Sequence, residues 1–104
     1  MKLANFPITK KLWQIASVHG VLQEALISIL GKPHKIESEA TFGGQEYWWC
    51  FILPSGYISA ITYRVPYEDA IFLTDAEETE NVIRAFNSVV QLGTLEVYSE
   101  RYGA

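Results

Sequence analysis

Two histidines, one cysteine and a pair of alternating acids are the groups in this 104-residue chain best suited to proton transfer or nucleophilic attack. His19 and His34 could work as an acid–base pair, because an imidazole titrates near neutral pH. Their surroundings separate them. His19 stands beside Gly20 on a predicted helix, and His34 follows the helix stop in Lys32-Pro33-His34-Lys35, so surface roles are expected for both. Cys50 could be a nucleophile, but it lies inside Tyr47-Trp48-Trp49-Cys50-Phe51-Ile52-Leu53. Apolar burial raises a thiol pKa and makes it inert. Glu37 and Glu39 share one side of a strand, as solvated acids commonly do. Gly43-Gly44 lacks the GxGxxG or GxxxxGK context that phosphate binding needs. Two distant histidines and a lone cysteine offer no metal-ligand spacing. No catalytic activity, metal or cofactor is therefore expected.

Recognition chemistry is better represented. In the aromatic strand one face carries Tyr47, Trp49, Phe51 and Leu53 and the other Trp48, Cys50 and Ile52. The next strand places Tyr57, Ser59, Ile61 and Tyr63 on one side, with Ile58, Ala60, Thr62 and Arg64 opposite. A sheet with one solvated face alternates apolar and polar residues. Here both faces are apolar, so one covered by helices leaves tryptophan and tyrosine on the other, residues that serve well in interfaces. Charge is also polarised. Residues 1–35 hold five lysines against one acid, a net of +4, and residues 36–104 hold three arginines against eleven acids, a net of −8. Glu68, Asp69, Asp75, Glu77, Glu78 and Glu80 fall within thirteen positions. Acids in a first helical turn favour the helix dipole, which accounts for the later ones but not for Glu68 and Asp69. The candidate partner-binding set is thus Glu68, Asp69, Asp75, Glu77 and Glu78, with Trp48, Tyr57, Tyr63 and Tyr67 as aromatic anchors.

The elements that must position these groups are read from periodicity and punctuation. Thr9 is a candidate N-cap for a first helix from Lys10, whose apolar positions include Leu12, Trp13, Ile15, Ala16, Leu22, Leu26, Ile27 and Leu30. Gly20 kinks or splits that helix, and Gly31 with Pro33 ends it. Strands are expected over 36–42, 46–53, 57–65 and 70–74, joined by Gly43-Gly44 and Pro54-Ser55-Gly56 turns as an antiparallel meander. Thr74-Asp75-Ala76-Glu77 has the form of a capping box for a second helix with Val82, Ile83, Phe86, Val89 and Val90 inward. Gly93 closes it before a last strand at 94–99. The fold class is α+β: one domain over residues 1–104, an antiparallel sheet of four to five strands, and an N-terminal and a C-terminal-half helix on one face.

With 49% hydrophobic and 19% charged residues, the chain has the composition of a folded domain and not of a disordered tail. A net charge of −4 argues against sequence-independent nucleic-acid binding. The N-terminus has no uninterrupted apolar core of a signal peptide, and no stretch suits a membrane span. A cytoplasmic location is expected, with monomer and homodimer both open.

The segments LGKPHKIE, EYWWCFILPSGYISAITYR and IFLTDAEE, between Gly31 and Phe86, resemble the small cytoplasmic immunity proteins of bacterial polymorphic-toxin and contact-dependent growth inhibition systems. The resemblance covers about half the chain and lies in general pattern. It implies a small acidic α+β protein that covers the active site of a cognate toxin, and the acidic edge read above suggests a basic, nucleic-acid-cleaving one. It transfers no binding residue position by position. Another small inhibitor or adaptor, for example a phage-borne one, or a small-ligand-binding homodimer fits the same chain.

Overall fold

The run richest in aromatic and β-branched residues builds the middle of the sheet. In a computed structural model describing residues 2–3, 11–38, 43–54, 56–75, 77 and 79–103, β4 (Glu46–Ile52) pairs with β5 (Ile58–Arg64) from Glu46↔Arg64 to Ile52↔Ile58. A 3-10 turn over Val65–Tyr67, containing Pro66, and Glu68 in the left-handed region at φ 53° return the chain into β6 (Asp69–Thr74). β2 (Trp13–His19) lies between β6 and β7 (Thr94–Gly103), antiparallel to both. Two short strands, β1 (Lys2–Leu3) and β3 (Lys35–Glu37), pair with the outer side of β4. The order is β1-β4-β5-β6-β2-β7, with β3 beside β4. Three helices complete an α+β domain: α1 (Gln23–Leu30), α2 (Thr79–Ala85) and α3 (Asn87–Val90).

The expected N-terminal helix is corrected over its first half. Trp13–His19 is a strand, and the Thr9 cap lies outside the described residues. The physical cause is a bulge between Gln14 and Ala16. It brings Ile15, Ala16 and Val18 into one buried cluster and replaces the period of two with a helix-like spacing. Gly20, at φ 77°, is the corner between strand and helix. Gly31 ends α1 as expected, its N–H donating to the Ile27 carbonyl at 2.7 Å. The capping-box expectation also fails. Thr74 belongs to β6 and its Oγ1 donates to the Ile58 carbonyl, while Asp75 Oδ1 accepts the Ile58 N–H at 2.8 Å. Both polar side chains therefore fasten β6 to β5, and the helix begins at Thr79. The sheet has more than the expected four to five strands.

The helices cover one face, where Leu26, Val82, Phe86 and Val89 meet Trp49, Phe51, Ile61, Tyr63 and Phe72. Phe86 lies 5.2 Å from Phe51 and 5.8 Å from Phe72 between ring centroids, tilted against each. The opposite face is apolar only in part. Cys50, Ala60, Ile71 and Leu73 are buried there with Leu12, and Trp48 and Ile58 are packed against them.

Candidate functional site

Polar residues gather at one end of that second face because five strands place them in one row. Register pairs Glu37 with Glu46, Glu46 with Arg64, Arg64 with Asp69, and Asp69 with His19. Glu96, one row along on β7, reaches back to His19. A strand's side chains alternate between faces, so aligned positions on neighbouring strands stand side by side.

Asp69 is the hub. Arg64 Nη2 donates to its Oδ2 at 2.7 Å, and His19 Nδ1 meets its Oδ1 at 2.9 Å. The other ring nitrogen, Nε2, is 2.7 Å from Glu96 Oε1 and 3.1 Å from Ser17 Oγ. A ring donating from both nitrogens is an imidazolium, so the two carboxylates select the charged form. The hydrogen bonds to Asp69 and then to Glu96 raise the His19 pKa above its ordinary value, against a smaller opposing effect of burial. Trp48 Nε1 donates to Glu46 Oε1 at 3.0 Å, and Lys35 pairs with Glu37 at 2.6 Å. Burial raises the Glu46 pKa, partly offset by the Trp48 N–H. Arg64 also lies over the Tyr67 ring, 5.0 Å from its centroid.

The residues expected to form one binding set are divided between the two ends of the sheet. Trp48, Tyr67, Glu68 and Asp69 belong to the end with the charged row. Tyr57, Asp75 and Glu77 lie at the other, because β6 runs from Asp69 to Thr74, roughly 17 Å at the rise of an extended strand. Tyr57, Tyr67, Glu68 and Glu77 are exposed and Trp48 is half-buried. Asp69 is mostly enclosed by its partners and Asp75 holds a backbone N–H, so neither is a free surface charge. Tyr63 is not an exposed anchor. It is 1% exposed on the helix-covered face and donates its hydroxyl to the Val21 carbonyl at 2.6 Å. Glu78 lies outside the described residues.

Comparison with protein-family models, curated proteins and solved structures finds no match to this chain. The chemistry of the site is therefore read from its own groups. His34 is structural: its backbone N–H donates to Trp48 O at 2.8 Å and its Nδ1 accepts the Cys50 N–H at 2.9 Å. It thereby continues the edge of β4 between β3 and β1. At least three strand spacings, roughly 15 Å, separate it from His19. Cys50 is fully buried, and desolvation pushes its thiol pKa up to about 12. No group of three or more His, Cys, Asp and Glu among the described residues is arranged to hold a metal. An open depression at the other end, lined by Leu53, Pro54, Asn81, Arg84 and Ala85, contains no histidine or carboxylate in its lining. Sequence reasoning missed the roles of Arg64, His19 and Glu96; the only linear signal is that His19 and Arg64 are polar residues ending largely apolar strands.

Proposed function

We propose that the chain is a stoichiometric binding protein of the immunity kind, which neutralises a cognate bacterial toxin with a basic surface by covering its active site. The observation that carries this reading is the charged row, flanked by exposed Tyr67 and Glu68 and by half-buried Trp48. Carboxylates outnumber cations there: Glu37, Glu46, Glu68, Asp69 and Glu96 stand with Lys35, Arg64 and His19. Such a surface attracts a basic partner over a Debye length and offers ring area to anchor it on contact. Its acids mimic the phosphates that a nuclease would bind. The resting ion pairs hold side chains in place before contact, which lowers the ordering cost of association. His19 engaged at both nitrogens and Cys50 held as a buried thiol support binding over catalysis. Among the described residues no helix is long and apolar enough to cross a membrane, and a cytoplasmic location is part of the proposal.

Charge reversal at the two ends of the sheet separates this surface from the rest of the acidic chain. Glu68→Lys with Glu96→Lys should slow association with the toxin domain by about tenfold or more at low salt and flatten its salt dependence. Glu77→Lys with Glu80→Lys, at the other end, should change the rate much less. Equal effects from the two pairs, or none from the first, would show that the contact lies elsewhere.

A further inference from the structure

His19 joins three neighbouring strands. Its backbone ends β2, Nδ1 is held by Asp69 of β6, and Nε2 by Glu96 of the edge strand β7. Its side chain is 43% exposed, so it exchanges protons with water directly. We propose that protonated His19 is a pH-sensitive clasp that fastens the start of β7 to the sheet and releases it on losing a proton.

The step moves one proton from Nε2 to solvent. Asp69 stays in place because Arg64 of β5 holds its second oxygen, so the neutral ring keeps its proton on Nδ1. Nε2 then presents a lone pair to Glu96 Oε1, and an attractive contact becomes a repulsive one. Ser17 Oγ, 3.1 Å away, can turn its hydrogen toward Nε2 and satisfy the neutral ring. Each state is thus hydrogen-bonded, as a switch requires. Glu96 is the group that leaves. The charges facing the ring are Asp69 from β6 and Glu96 from β7, with Arg64 behind Asp69; Thr94 is its uncharged opposite on β7. A raised pKa fixes the sign: the clasp is closed below the ordinary histidine range and opens as pH rises through the higher folded value. This inference does not depend on the identity of any partner.

The test uses the full chain, with nitrogen-15 NMR of the imidazole and amide exchange of β7 corrected for intrinsic rates. His19 should titrate above 6.5, its shifts passing from imidazolium to the form protonated on Nδ1. Protection of the amides that β7 donates to β2 around Glu96 should fall across the same midpoint, while β5 and β6 stay protected. Each unit of displacement corresponds to about a tenfold change in the clasp equilibrium. Glu96→Gln, an exposed change that preserves the fold, should lower the midpoint and remove the step in β7 protection. His19→Gln should leave β7 protection without that step. An ordinary midpoint, one that Glu96→Gln leaves unmoved, or β7 protection that stays flat through the titration would overturn the proposal.

Discussion

At the residue scale, Tyr63 and Cys50 show how burial decides what a reactive side chain does. The Tyr63 hydroxyl ties β5 to the Val21 carbonyl at the entry to α1. Tyr63→Phe leaves that acceptor without its donor and should cost about 1–2 kcal/mol in urea unfolding, with little change of slope. Cys50, with a thiol pKa raised to about 12, should react with a disulfide reagent at pH 8 only as fast as the chain opens. Rapid labelling under native conditions would contradict its burial. Glu46 makes a pH-dependent prediction. Its raised pKa means that the folded chain binds this proton more readily than the unfolded one, so Glu46 favours folding at acid pH and loses that contribution as pH rises. Glu46→Gln keeps an acceptor for Trp48 and removes the charge. It should stabilise the fold at pH 7, with the gain shrinking toward pH 4, as thermal melts at the two values would show. The burial of Cys50 was legible from its apolar neighbours. The partners of His19 were not, since Asp69 and Glu96 are 50 and 77 positions away and only strand order brings them together.

At the scale of elements, local signals were clear where one segment decides its own structure and misleading where a neighbour decides. Gly31 stops α1, and the β4–β5 hairpin follows from its aromatic run and turn residues. β2 was hidden because a central strand with a bulge buries residues without alternation. Thr74 and Asp75 have the right types to cap a helix, but they bond to Ile58 across the sheet. The close seating of β7 on β2 yields a further expectation. A Cβ on Gly93 would come within 2.1 Å of the His19 carbonyl oxygen. Gly93→Ala should therefore displace the start of β7 and destabilise the fold by roughly 1–3 kcal/mol in urea unfolding. It should also disturb the His19 and Glu96 resonances before those of β4 and β5.

At the scale of the molecule, two sheet faces do different work. One is sealed by the helices, and the other passes from an apolar patch closed by Leu12 to the charged row. Among the described residues the large exposed apolar side chains fall on several elements: Leu22 just before α1 and Ile29 on it, Ile36 on β3, Ile52 and Tyr57 near the β4–β5 turn, Tyr67 beside the row, and Val97 and Tyr102 on β7. Glu96, Glu100 and Arg101, with the bulge, are expected to protect the β7 edge from pairing with a second copy. Sedimentation at tens of micromolar should give the 11.8 kDa monomer. Fold class was legible from order and punctuation. The binding surface was not, because six acids close in sequence are divided by the length of β6.

Stoichiometric binding through the charged row can be read by affinity capture from the native cells. The tagged chain and its Tyr67→Ala, Glu68→Lys, Glu96→Lys triple variant would be compared at low and high salt, with retained proteins identified by mass spectrometry. One basic polypeptide should be retained in equal amount with the wild-type chain, released by salt, lost with the variant, and toxic when expressed without its partner. Equal retention by both chains, or recovery of the wild-type chain alone, would contradict it.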